Sequence, residues 1–138
     1  EKTDAETFDD SVGGLVVSVT TLRRLYPVSG ALITVFTGTP ENMTVIETDV
    51  ADESGKSKVF KLKTPSKAES QQPEASGEIP YAKYNVSVNS DGYVEQIALN
   101  IPVFSGVISM QSIDLIPLAA AGKNTGAQII EGGSPYNL

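Results

Sequence analysis

The sequence predicts an all-β protein, a seven-stranded antiparallel β-sandwich, and three observations predict it. Seven short stretches alternate apolar with polar residues at a period of two. Clusters of Gly, Pro, Asp and Ser separate them, and no stretch sustains the 3.6-residue apolar period of a helix. A length of 138 residues suits one domain with a real core and is too short for two ordinary ones.

The first strand lies in "GGLVVSVTT", where Leu15, Val17 and Val19 share one face and Val16, Ser18 and Thr20 the other. A polar joint, "LRRLYPVSG", leads to "ALITVFTG", with Ala31, Ile33 and Val35 against Leu32, Thr34 and Phe36. Its β-branched content disfavours helix. "MTVIETDV" and "SKVFKLKT" supply the third and fourth strands. Between them "ADESGK", with Asp52, Ser54 and Gly55, predicts the turn of a hairpin. Residues 65–80, "PSKAESQQPEASGEIP", hold one large apolar side chain, Ile79, and bury too little to offset their ordering entropy. A long, exposed and mobile loop is expected there.

Alternation resumes with Tyr84, Val86 and Val88 against Asn85, Ser87 and Asn89. "NSDG" then turns the chain into Tyr93, whose ring is expected to lie over the end of the core. "YVEQIALNIPV" and "VISMQSIDLIPL" are the last two strands, joined at "FSG" and ended by Pro117. Alternation places Asp114 opposite Ile113 and Leu115, on the outer face, where it should be exposed. The predicted core comprises Leu15, Val17, Val19, Ile33, Val35, Phe60, Leu62, Tyr84, Val86, Val88, Ile113 and Leu115. The resulting map is a flexible acidic segment over residues 1–12, the sandwich over 13–118, and a C-terminal linker or edge segment over 119–138 that contains Ile129 and Ile130.

Composition narrows the chemistry. Ten basic against seventeen acidic residues give a formal charge of −7, and the basic ones are scattered apart from Arg23 and Arg24, so nucleic acid is not an expected partner. The chain has no cysteine and no histidine, which removes thiol nucleophiles, imidazole bases, disulfides and nearly all zinc chemistry. No catalytic residue, cofactor site or metal site is assigned. No apolar run approaches the roughly 18 residues that span a bilayer. The chain opens at Glu1 on an acidic, polar run, which is expected either of a chain trimmed from a longer one or, the favoured reading, of a mature N-terminus left after a signal peptide.

"GGLVVSVT", "YPVSGALITVF", "ADESGK", "KLKTP" and the stretch from Pro80 to Leu118 together resemble the carboxypeptidase regulatory-like, or transthyretin (prealbumin)-like, domain family. The version most similar is the module of clostridial spore cortex-lytic proteins and related Firmicutes envelope proteins. The resemblance covers residues 13–118, and its specific portion is residues 27–31, 52–55, 91–93 and 111–117. It implies a Greek-key sandwich and a non-catalytic accessory module of a secreted or cell-envelope protein, one that spaces, stabilises or docks a neighbouring domain. The alternative is an independent adhesive or ligand-binding domain for an envelope polymer such as peptidoglycan. The implied partner is a neighbouring domain or an envelope component.

Other chemistries of related folds fit less well. Resemblance to hydroxyisourate hydrolases implies histidines and a C-terminal Tyr-Arg-Gly-Ser, whereas this chain lacks histidine and ends "SPYNL". A collagen-binding B-type domain implies a lysine on the first strand for its internal bond, and residues 15–20 contain none. Sugar-binding sandwiches stack sugars on exposed aromatics, but there is no tryptophan and five tyrosines serve the whole chain. The cluster of Asp49, Asp52 and Glu53 leaves calcium open, although its spacing is not that of an EF-hand, acidic turns are common, and a solvated hairpin tip is the favoured reading.

Overall fold

The computed structural model describes residues 11–65, 81–121 and 127–132. Nine strands occur among them: β1 (Val12–Thr21), β2 (Tyr26–Pro27), β3 (Leu32–Thr39), β4 (Asn42–Val50), β5 (Phe60–Lys63), β6 (Tyr81–Asn89), β7 (Gln96–Phe104), β8 (Ile108–Leu115) and β9 (Gln128–Glu131). One helical turn, α1 (Leu118–Ala121), follows β8. No helix among the described residues is long and apolar enough to cross a membrane.

The strands form two sheets in a sandwich-like arrangement. In the first, β1 is central. One of its edges takes β5 along Val12, Gly13, Gly14 and Leu15, and β2 at Thr20 and Thr21. Its other edge takes β8, from the Gly14–Ile108 pair to the Thr21–Leu115 pair. The second sheet runs β4-β3-β6-β7-β9. All twelve predicted core residues are buried between the sheets, joined by Val28, Ala31, Ala51, Ala98, Ile101 and Val103. Period-two alternation fixes this side of each strand, because a one-residue slip would turn its apolar set to solvent.

Three expectations need correction. The pairing is mixed, since β1 with β8 and β7 with β9 are parallel. The connection from β7 crosses between sheets, so β8 returns in the same direction as β1 and lies beside it. Second, β4 and β5 are not a hairpin: β4 pairs with β3 in one sheet and β5 with β1 in the other. The turn around Asp52 exists, but it steers a crossing. Gly55 is required there, with a φ of +79° and a position where a Cβ would collide with the Val19 carbonyl oxygen. Third, Asp114 is on the outer face but is half-buried by a loop folded over it. The long loop expected over residues 65–80 lies outside the described residues apart from Pro65, as do residues 1–10 of the N-terminal segment.

Three other readings correspond to observed features. β6 and β7 form the hairpin anticipated at "NSDG", with Gly92 at a φ of +88°. Tyr93 packs against the core at its end. Ile129 and Ile130 belong to β9, whose Gln128 accepts a hydrogen bond from the buried Gln96 amide at 2.8 Å.

Candidate functional site

Strand direction gathers one set of loops at one end of the sandwich: residues 22–25, 28–31, 51–59, 90–95 and 116–117. Residues 27–31, 52–55, 91–93 and 111–117 lie in these loops or in the strands that feed them. Backbone bonds stitch them together. Val28 N–H donates to the Val19 carbonyl at 3.0 Å, Val19 N–H to Gly55 at 2.7 Å, and Gly30 N–H to Ala51 at 2.9 Å. On the other side Val94 N–H donates to Ile116 at 2.8 Å, and Leu118 N–H to Gly92 at 2.9 Å.

Side-chain carboxylates do the rest of the fastening. Asp52 Oδ1 accepts from the N–H groups of Ser54 at 2.8 Å and Lys56 at 3.0 Å. The Lys56 amide, foremost among these donors, holds the Asp52 carboxyl below its ordinary pKa. Asp49 Oδ2 accepts from Lys58 N–H at 2.8 Å, and Lys58 Nζ pairs with Glu47 Oε2 at 2.5 Å. That Glu47 contact holds the Lys58 ammonium above its ordinary pKa. Ser87 Oγ donates to Glu95 Oε2 at 3.0 Å. Asp49 and Asp52 thus face different partners, Glu53 and Asp91 are exposed, and no three Asp or Glu side chains among the described residues are grouped to hold a metal ion.

The most unusual geometry joins β1 to β2. Leu22, Arg23 and Arg24 all have left-handed backbones, with φ of 55°, 58° and 70°. None is Gly or Asn, and each left-handed residue costs about 1–2 kcal/mol. Asp114 compensates. Its Oδ2 accepts from Arg23 N–H at 3.0 Å, and its Oδ1 accepts from Arg24 N–H and Thr20 Oγ1, both at 2.9 Å. Thr21 Oγ1 donates to the Leu115 carbonyl, and Leu25 N–H closes the turn on Thr21. This clamp projects Leu22, Leu25 and Tyr26 into solvent at 49%, 71% and 57% exposure, beside the exposed Arg23 and Arg24. An apolar, basic tip therefore stands out from an acidic molecule.

From the sequence alone, residues 22–30 read as a polar joint. Nothing local marks them, because the residue that stabilises the turn is 91 positions away. The adjacent arginines in an otherwise acidic chain were the one visible signal.

No family model matches this chain, and no curated protein matches it. Among solved structures it is similar to a portion of the Bacillus anthracis TIE protein, at 16% identity over 78% of this chain and 17% of that one, with a TM-score of 0.45. It is similar also to (S)-allantoin synthase, at 13% identity over 80% of this chain and 42% of that one, with a TM-score of 0.44. A third similarity is to Acinetobacter radioresistens catechol 1,2-dioxygenase, at 12% identity over 94% of this chain and 60% of that one, with a TM-score of 0.41. This chain spans less than two thirds of each of those chains, and likeness at these TM-scores has no bearing on its activity.

Proposed function

We propose that this chain is a non-catalytic accessory module of a secreted or cell-envelope protein, with the transthyretin-like Greek key of the carboxypeptidase regulatory-like family, and that it spaces, stabilises or docks a neighbouring domain. The observation that carries the reading is how the carboxylates are used. Asp49, Asp52 and Asp114 each accept backbone N–H groups, Glu47 holds Lys58, and Glu95 holds Ser87. Groups fixed in this way stiffen loops, whereas a general acid and base need access to a reacting atom. The strand layout supports the topology: with β2 and β9 set apart, three strands face four, and the chain crosses between sheets after β1, β4, β5 and β7.

Purified chain should not turn over peptidoglycan, peptides or model esters, with or without divalent metal. Turnover abolished by Asp52→Asn or Asp91→Asn with the fold kept would overturn the reading. The exposed tip favours a second reading, an adhesive domain for an envelope polymer such as peptidoglycan. Retention on purified cell wall that disappears in Arg23→Glu and Leu25→Asp would select it. Passage through the wall pellet, with retention by the neighbouring domain of the same gene product, would select the first.

A further inference from the structure

The turn between β1 and β2 combines backbone strain, exposed apolar side chains and positive charge. Three consecutive non-glycine residues are held left-handed there by Asp114. Strain of this kind persists only where the surroundings impose it, and it clusters at sites of contact. Its effect here is presentation: Leu22, Leu25 and Tyr26 stand in solvent around the exposed Arg23 and Arg24. Charge is segregated in the same place. The sequence holds no Asp or Glu between Asp10 and Glu41, and Arg23 and Arg24 are its only basic residues there, in a chain whose formal charge is −7. The carboxylate beneath the turn, Asp114, is committed to the amides of Arg23 and Arg24 and to Thr20. The exposed Asp52 and Glu53 belong to a loop that bonds β1 at Val17 and Val19, three residues or roughly 10 Å short of the turn.

We propose that this tip is an anchoring site for an anionic lipid surface, with Leu22, Leu25 and Tyr26 entering the boundary between headgroups and acyl chains while Arg23 and Arg24 meet lipid phosphates. Charge selects an anionic occupant, because only this end offers cations with apolar neighbours and no uncommitted carboxylate. Size selects a bilayer over a protein. Five side chains present roughly a few hundred Å², against about 800 Å² per partner in a standard protein interface, and the exposed carboxylates of Asp52, Glu53 and Asp91 on neighbouring loops oppose any spreading of an anionic contact. Residue type points the same way. Leucine is under-represented among the residues that anchor protein interfaces, whereas leucine and an aromatic ring beside arginine is the chemistry of segments that rest in a lipid interface. A hydrated polysaccharide would pair with the arginines and leave both leucines in water. The acidic body is repelled by anionic headgroups, so the attachment is end-on. A module that spaces its neighbours loses nothing by resting its tip on a bilayer, and failure of the accessory reading leaves this contact standing.

Co-sedimentation of the purified chain with vesicles of phosphatidylcholine containing about 30% phosphatidylglycerol tests the inference. Half of the chain should pellet at about 0.1 to 1 mM lipid, the affinity of a single weak anchor. Vesicles of phosphatidylcholine alone should bind about tenfold less, and raising salt from about 0.05 to about 0.5 M should weaken binding to the anionic vesicles. Leu25→Ser should weaken it about tenfold or more and Arg23→Gln about fivefold, each with a native circular dichroism spectrum. Val45→Ser, at an exposed apolar position on β4, should leave it unchanged. Because the chain has no tryptophan, Leu25→Trp supplies a single reporter of insertion. Its emission should shift to the blue on adding anionic vesicles, and that of Val45→Trp should not. No pelleting at about 1 mM lipid, equal binding to neutral vesicles, an unshifted Leu25→Trp spectrum, or retention by purified cell wall or a neighbouring domain through these residues with vesicles ignored would each overturn the proposal.

Discussion

Asp114 shows how much one side chain can determine. Its carboxylate satisfies two consecutive amides of a left-handed turn and a threonine hydroxyl. Asp114→Ala removes these charge-assisted bonds, each contributing about 1.5–3 kcal/mol, and leaves the backbone strain uncompensated. We expect a loss of about 2 kcal/mol or more in urea unfolding, with faster hydrogen exchange at Arg23 and Arg24. Unchanged exchange there would show that the turn stands without its clamp. Tyr84 gives a second case. Burial pushes its hydroxyl above the ordinary 10.0, partly opposed by the bond it donates to the Lys63 carbonyl at 2.6 Å. A raised folded pKa means that the associated stability is present below about pH 10 and declines as pH rises from there through the folded value. Tyr84→Phe should lower stability at neutral pH by about 1 kcal/mol and flatten the alkaline decline. At this scale the core was legible, since alternation alone identified Leu15, Val17 and Ile113. Asp114 was not, because alternation assigns a face and says nothing about a loop that folds back over it.

Elements were legible as stretches and poorly legible as pairs. "ALITVFTG" and "MTVIETDV" read as strands from composition, and they are β3 and β4. Their neighbours were obscured because the chemistry of residues 52–55, an Asp-anchored turn with a positive-φ Gly, serves a sheet-to-sheet crossing as well as a hairpin. The parallel partnership of β1 and β8 had no local signature either, as it joins positions more than ninety residues apart. It should be the most stable region of the molecule. Ile113, wholly buried on β8 opposite Val19, contributes to it directly. Ile113→Ala should cost about 2–5 kcal/mol, the range for truncating a buried aliphatic side chain, and should leave amides of β1 and β8 exchanging faster than those of β4. A smaller loss, with β1 and β8 still exchanging more slowly than β4, would mean that the site collapses around the truncation.

For the molecule as a whole, the first sheet joins the earliest described strand, β1, to a late one, β8. β1 uses both edges, and eight of its residues pair with β8. A chain ending at Gly106 would leave Leu15, Val17 and Val19 open on one side, and we expect no cooperative unfolding transition from it. A sharp transition in that truncation would show that β1 is held by β5 and the opposing sheet alone. The same clasp governs the response to mechanical load. β1 and β8 run in the same direction, so tension applied to the leading end of one and the trailing end of the other slides them along their length. Once β9 has been stripped away, all the cross-strand bonds between Gly14 and Thr21 resist together, where an antiparallel pair pulled from its open end would unzip bond by bond. Forced opening is set by the unfolding barrier, not by equilibrium stability, so the shear-loaded pair of β1 and β8 should resist a pull more strongly than the equilibrium stability of the domain alone suggests.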